Sequence, residues 1–424
     1  MSSFSNMALT SSAHLVRMLF GLVLIKIIFS YLGPEGLGKL GQFLSFATIL
    51  ALLAGGGIIN GVIKFVAEYK DDTKKLQEFM VEAVTYTVFC SVIILVVCVS
   101  FSRLLAEFLF KDPNLFWVFI VVGCLQCGYS FTYLVVGVVN GLKQTRKYAL
   151  IQIAGSLISL PIAYFLVDIG GFPGAAIAVV AAVFVNVIPA YYVYKTLAVK
   201  FSFSFVKITK LRFGKLPNYS LMLVSSAIAL PVVEMVVRQW LIQDSGYVGA
   251  GLWQGATKLS SAYLGFFTIF IGYVFLPMVS EQTSKSVILR LVVKYMALIA
   301  CLFIVGAVIL YAGRFYFISL LFSDEFSSLG NVLVYQLVGD FFKICACVIS
   351  FVGIAKGSAS LYIASECLQA ALFVGLVYAH GPQGDGLKTV LESYAMAYFL
   401  YFFVCCLALF FYIKKKPAIQ GQTS

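Results

Sequence analysis

Long apolar runs, separated by short polar or glycine-rich breaks, dominate this chain. Runs near the length of about 20 residues that crosses a bilayer as a helix fall at about 13–32, 42–66, 82–102, 115–141, 149–168, 174–195, 218–242, 252–279, 290–311, 331–354, 361–379 and 391–412. The breaks carry turn chemistry or charge: Gly33-Pro34-Glu35-Gly36, Lys70–Lys75, Lys111-Asp112-Pro113-Asn114, Lys143–Lys147, Gly170–Gly174 and Gly381–Gly386. Stretches such as Val92–Val99 and Ala175–Val187 do not alternate apolar with polar, so they read as helices and not as barrel strands. The pattern predicts an all-α integral membrane protein of about 12 transmembrane helices.

Composition agrees. Of 424 residues, 61% are hydrophobic and 11% charged, against about 45–50% and about 25% in a soluble domain. The polar opening, Met1–Ser12, has no basic n-region and no A-x-A-like site, so no cleaved signal peptide is expected. The chain carries 30 Lys+Arg against 18 Asp+Glu, a net charge of +12. No segment is both soluble and basic enough to bind nucleic acid, so the excess reads as basic loops on an anionic membrane face. One set of alternate connections holds Lys70–Lys75, Lys143–Lys147, Lys195–Lys215, Lys285, Arg290, Lys356 and Lys414–Lys416; the other holds only Lys39, Arg103, Lys111, Arg314 and Lys388. The positive-inside rule then puts the N and C termini in the cytoplasm. Trp117, Trp240 and Trp253 fall at helix ends on the sparse side, where an outer aromatic belt is expected.

The longest and most basic connection divides the chain into an N-terminal six-helix bundle (1–200), a cytoplasmic linker (201–216), a C-terminal six-helix bundle (217–412) and a cytoplasmic tail (413–424). Leu40-Gly41-Gln42 and Leu252-Trp253-Gln254 open the second helix of each half at an offset of 212, and Lys143 and Lys356 follow the fourth at 213. The shared offset points to a duplication, giving parallel repeats of the kind secondary transporters use.

Charges within or near the spans carry the functional signal, because each costs about 2.5–3.5 kcal/mol at mid-bilayer. They are Arg17, Lys26, Lys64, Arg238, Lys258, Lys294 and Lys343, with the acids Glu234, Asp340 and Glu366. Lys294 and Arg17 lie near the cytoplasmic end, where snorkelling is open to them. Lys64 stands four before Glu68, a spacing that permits pairing. Glu234 with Arg238, and Asp340 with Lys343, each share a helix face, either as a structural salt bridge or as a switch that opens on protonation or substrate arrival. Glu366 has no basic neighbour on its own helix; it either meets a cation elsewhere or carries a proton. The interior balance is positive, which favours a water-filled cavity lined by Arg and Lys that attracts an anion, Arg giving bidentate contacts to phosphate and Lys a point charge. Arg17 and Lys26 project about 180° apart on a helical wheel, so one of the two packs or snorkels. The site expectation is therefore Arg17, Lys26, Lys64, Arg238, Lys258 and Lys343 for substrate, with Glu234, Asp340 and Glu366 for coupling or gating.

Other features read as structural. Cys124-x-x-Cys127 lies inside an apolar helix and the other cysteines read as small core residues; His14 and His380 sit near opposite faces. No nucleotide-binding G-x-x-x-x-G-K-[ST] occurs. Gly55-Gly56-Gly57 reads as close helix packing or a bend, and Pro161, Pro189, Pro231 and Pro277 as kinks.

Three groups of residues resemble a known family: Tyr31–Gly38, and Ala54–Gly61 followed by Lys64 and Tyr69; Gly251–Gly255; and Tyr335–Asp340 with Lys343, then Ala355-Lys356 with Tyr362, Glu366 and Gln369. Over nearly the whole chain they are similar to the bacterial lipid-linked oligosaccharide flippases. These are the O-antigen and enterobacterial common antigen translocases of the polysaccharide-transporter branch of the multidrug/oligosaccharidyl-lipid/polysaccharide exporter superfamily. Arg17 and Lys26 fit that pattern, with Arg for Lys at the first. Lys258 stands where the family suggests a small polar residue and Ser261 where it suggests Asp, which shifts the cavity further positive.

The resemblance implies two six-helix bundles around a central cavity, and alternating-access transfer of undecaprenyl-pyrophosphate-linked oligosaccharide from the cytoplasmic to the periplasmic leaflet of the bacterial inner membrane. H+ or Na+ coupling is proposed for relatives. Inner-membrane lipid, polysaccharide polymerase and chain-length proteins are the other expected partners; no cofactor, catalytic group or metal is expected. The rivals are a drug/cation antiporter of the same superfamily, which calls for a carboxylate in the first helix, and a peptidoglycan-precursor flippase, which calls for extra helices after Tyr412. A membrane polysaccharide polymerase or ligase calls for a large outer loop, and the longest outer connection here runs only from about Gly313 to Gly330.

Overall fold

The computed structural model describes residues 3–197, 216, 217, 220, 228–356, 359–381 and 385–414. The expected linker therefore lies, except for Leu216, outside the described residues, as does the tail beyond Lys414. The helices are α1 Ser3–Leu53, α2 Ile59–Tyr69, α3 Thr73–Ser100, α4 Ser102–Phe110, α5 Phe116–Gly141, α6 Thr145–Phe184, α7 Val187–Lys195, α8 Ala229–Phe270, α9 Leu276–Ser280, α10 Lys285–Ala312, α11 Arg314–Leu321, α12 Leu329–Ala355, α13 Ala359–His380 and α14 Gly386–Lys414.

Eight helical stretches among the described residues are long and apolar enough to cross a membrane, and three of these run for 54, 51 and 52 residues. A straight helix of 51 residues would extend about 77 Å, more than twice the hydrocarbon thickness of about 30 Å. Each is instead broken at a left-handed glycine: Gly33 (φ 60°), Gly171 (φ 53°) and Gly246 (φ 69°). Only glycine enters this region without strain, and each break lies in a connection that the hydropathy pattern predicts. At Gly174 a Cβ would stand 1.9 Å from Leu166 O, so the chain after the break returns against the helix before it. Divided at these glycines, and with α13 over the eleventh predicted run, the helices account for the twelve spans, though most of 218–227 in the seventh lies outside the described residues.

The duplication is visible in the element order. Gly33 and Gly246, the starts of α3 and α10 (73 and 285), the short helices α4 and α11 (102 and 314) and the starts of α5 and α12 (116 and 329) recur at offsets of 212 or 213. Even irregularities recur: the second span of each half loses its α-helical hydrogen bonding at Ala54–Gly57 and at Ile271–Phe275.

The chain forms two compact units, Met1–Arg238 with Leu321–Ser323, and Gln239–Leu320 with Asp324–Ser424. In the first, α2 seats on α5 through Gly137 and Gly141, a small-x-x-x-small pair. A Cβ at either would come within 2.8 Å of Val62 or Val66. One end of this unit is basic. There Val66, Leu76, Phe79, Val139, Tyr148 and Val193 belong to one buried cluster, and Lys147 Nζ donates to Thr196 O at 3.1 Å. Asp72 caps α3, and the Lys75 backbone N–H that it accepts holds its carboxyl below the usual range. The opposite, cation-poor end is aromatic: the Phe110 ring lies 5.3 Å from Phe43, 5.3 Å from Phe119 and 5.2 Å from Phe172. In the second unit, Lys356 Nζ donates to Val279 O at 2.9 Å and Lys285 Nζ to Tyr412 O at 2.9 Å, which again gathers the basic connections at one end.

One expectation is extended by the structure and one needs correction. Gly55–Gly57 packs closely, as expected, but it goes beyond a bend to a full interruption of the helix, with φ of 68°, 79° and 66° in succession. The freed carbonyls are met by side chains, Thr87 Oγ1 donating to Gly55 O at 3.3 Å and Ser220 Oγ to Gly56 O, as backbone at membrane depth requires. A Cβ at Gly56 would sit 2.5 Å from Tyr86 Cε1 and 2.9 Å from Cys90 Sγ. Gly56→Ala is therefore expected to destabilise the protein by about 1–3 kcal/mol, read as a lower melting temperature in detergent; an unchanged one would mean that the break is not seated on α3. The tryptophans do not form a belt. Trp117 is 41% exposed, but Trp240 and Trp253 are buried at 8% and 1%, so two of the three are core residues. A belt residue has to meet the headgroups.

Candidate functional site

Arg238 on α8 is fully buried inside the first unit. Its position depends on Gly41: a Cβ there would stand 2.4 Å from Arg238 Nε and 2.7 Å from Cδ, so the guanidinium lies where any other residue has its side chain. Nη1 donates to Ser45 Oγ at 3.1 Å, Ser45 Oγ donates to Glu234 Oε2 at 3.3 Å, and Nη2 lies 3.9 Å from the same carboxylate oxygen. Gln42 Nε2 donates to Met235 O at 3.1 Å. The expected Glu234–Arg238 pair thus exists as part of a network that ties the α1 segment Gly41–Ser45 to α8.

Asp340 on α12 is the centre of a second buried network. Its Oδ1 accepts from Tyr394 Oη at 2.6 Å and its Oδ2 from the hydroxyls of Ser260 and Tyr263. Gln336, one turn earlier on α12, donates to Oδ2 at 3.3 Å and to Ser260 Oγ at 2.7 Å. Lys343 Nζ donates to Tyr394 Oη at 3.4 Å and stands 4.8 Å from the Tyr398 ring centroid, so Tyr394 links Lys343 to Asp340. Gly339 makes this possible, because a Cβ there would stand 2.3 Å from Tyr394 Cδ1. Glu366 on α13 is half-buried, and Gln369 Nε2 donates to its Oε2 at 2.5 Å.

The other expected cations are more open. Lys64 is exposed on α2, its ammonium 5.5 Å from the Phe65 ring centroid; Lys26 is exposed on α1 and Lys258 half-buried on α8. Lys294 is exposed, 6.0 Å from the Tyr295 ring. Arg17 lies on the wall of a cavity of 320 Å³ within the first unit, formed by residues of α1, α2, α5, α6 and the turn before α7.

Sequence reading missed the partners that make these charges tolerable. Gly41, Gln42, Gln336 and Gly339 lie inside motifs that it singled out, and the four-residue step from Gln336 to Asp340 was a usable signal. Ser45, Tyr263 and Tyr394 come from helices distant in sequence, and no pattern announces them.

A buried arginine and a buried aspartate, each held by hydroxyls, are costly in a chain of membrane-spanning helices and mark its interior as the candidate site. The sequence profile of the polysaccharide biosynthesis protein family matches residues 3–283. The chain belongs to that family. It is 30% identical over 402 residues to the lipid III flippases of Escherichia coli (strain K12) and Shigella flexneri, covering 94% of this chain and 95% of theirs. Its fold is like that of solved transporters of the MOP superfamily. An inward-facing multidrug resistance MATE family transporter superposes with a TM-score of 0.72 over 95% of this chain and 96% of that one, at 17% identity. An outward-facing one superposes with 0.64 over 96% and 95%, at 16% identity. This is a multi-pass membrane transporter and not an enzyme.

Proposed function

We propose that this polysaccharide biosynthesis family member is a flippase that moves an undecaprenyl-pyrophosphate-linked oligosaccharide from the cytoplasmic to the periplasmic leaflet of a bacterial inner membrane. The observation that carries the reading is the near full-length match to lipid III flippases. The basic end of each unit is the cytoplasmic end by the positive-inside rule. Arg17 takes the pyrophosphate, since a guanidinium can grip two oxygens at once, and Lys26, Lys64, Lys258 and Lys343 supply further positive potential along the route. Arg238 is assigned to holding α8 against α1, because it is enclosed on every side. Asp340, with Glu234 and Glu366, is assigned to coupling to an H+ or Na+ gradient. The translocated saccharide then passes to a polysaccharide polymerase and its chain-length partners.

The test is leaflet transfer of labelled undecaprenyl-pyrophosphate oligosaccharide in proteoliposomes, with and without an ion gradient. Arg17→Gln is expected to lower initial flux about tenfold or more, in line with the loss of about 1.5–3 kcal/mol for a hydrogen bond to a charged group. Failure of the wild-type protein to move any such lipid, set beside export of a small organic cation, would assign it to drug transport.

A further inference from the structure

The cavity on which Arg17 borders has a wall that charge alone does not explain. Among the described lining residues Arg17 is the one charge, and the rest of the polar lining is neutral. Within it the side chains of Arg17, Tyr133, Asn140 and Gln152 make no hydrogen bond or ion pair to the protein among the described residues. Asn186 spends its Nδ2 on Ala182 O and Val183 O, both at 3.1 Å, which leaves its Oδ1 as an acceptor. That oxygen occupies space kept open by Gly155, where a Cβ would stand 2.0 Å from it. Half-buried amides and a phenol bordering one void, with their hydrogen-bonding capacity unspent, are the mark of a site built for a polar ligand. In an apolar protein core the same groups would be paired with one another.

We infer that this cavity is a saccharide subsite, taking the sugar joined directly to the pyrophosphate, with Arg17 on the phosphate and Tyr133, Asn140 and Gln152 on the sugar's hydroxyl or acetamido groups. The inference rests on the flippase reading above. An acyl chain has no use for four open polar groups, and a metal cation is disfavoured by Arg17 and by the lack of a carboxylate among the described lining residues. The volume of 320 Å³ is at the lower end of ligand sites, suited to a sugar residue and not to a whole oligosaccharide. Position supports the assignment. Asn140 is one residue from the end of α5 and Gln152 is in the second turn of α6, so the cavity reaches toward the basic end. The Lys143–Lys147 connection stands beside its approach, on the side from which a cytoplasmic substrate enters.

The experiment measures binding of two probes to the purified full chain in nanodiscs: a short-chain polyprenyl pyrophosphate, and the same molecule carrying one N-acetylhexosamine. The wild type is expected to bind the sugar-bearing probe about tenfold more tightly. Asn140→Ala combined with Gln152→Ala is expected to erase that increment and leave affinity for the bare pyrophosphate unchanged, whereas Arg17→Gln weakens both probes alike. If the alanine pair loses both probes, Gln152→Leu, of similar volume without hydrogen-bonding atoms, decides: it must lose the sugar increment alone. Equal affinity of the wild type for the two probes, or an increment that survives in the alanine pair or in Gln152→Leu, overturns the subsite while leaving the flippase reading intact. A wild type that binds neither probe and transfers no lipid-linked saccharide overturns that reading first.

Discussion

Asp340→Asn is expected to lower transport of lipid-linked saccharide at least tenfold at an unchanged level of folded protein. A carboxylate is purely an acceptor, with about four lone-pair sites, and here it faces the hydroxyls of Ser260, Tyr263 and Tyr394 and the amide of Gln336. Asparagine keeps the shape and one acceptor, and hydroxyls can turn to receive its amide protons, so the mismatch costs about 1–3 kcal/mol at most. What it removes entirely is the charge that Lys343 reaches through Tyr394. A fully buried ionisable residue in a membrane is expensive, and it is kept where charge is used. Flux and melting temperature of Asp340→Asn, measured beside Glu366→Gln, check this. Wild-type flux in Asp340→Asn would reduce the network to a structural one. Gly339→Ala gives an independent handle: it forces the Tyr394 ring away and should reproduce the flux loss with Asp340 itself intact.

The second large effect concerns stability. Gly41→Ala adds one methyl group, yet that methyl would overlap the Arg238 side chain at 2.4 Å, and the guanidinium, fully buried, has nowhere to go. Displacing it strips Ser45 and Glu234 of their partner. Breaking a buried ion pair costs about 3–5 kcal/mol, enough to threaten the folded state outright. Thermal unfolding in detergent measures the loss, and Arg238→Met in the Gly41→Ala background should recover part of it, because methionine is unbranched, uncharged and adaptable. Strict additivity of the two changes would show that Gly41 and Arg238 do not act on each other.

Sequence was informative here wherever the physics is local. Spans are read from length and hydropathy, and turns at Gly33 and Gly171 from the clustering of glycine and proline, because both depend only on neighbours along the chain. The charges of Arg238 and Asp340 stand out for the same reason, since a bilayer makes them costly wherever they land. Their partners do not stand out. Ser45 meets Arg238 across 193 positions and Tyr394 meets Asp340 across 54, and serine and tyrosine are unremarkable in a span. Tyr133, Asn140 and Gln152 escape notice similarly: a search for costly charges passes over neutral groups, and only their convergence on a void gives them meaning. Trp240 and Trp253 misled because proximity to a helix end does not tell which way the ring turns.

The short helices α4 and α11 have a mechanical consequence. Each follows the third span of its half and exposes large apolar side chains, Leu104 and Phe108 on the first, Phe315, Tyr316 and Leu320 on the second. A helix of this kind lies flat in the headgroup region, and dragging one such side chain into water costs about 1.5–3 kcal/mol. Each unit thus has its own float at the cation-poor surface, fixing its waterline.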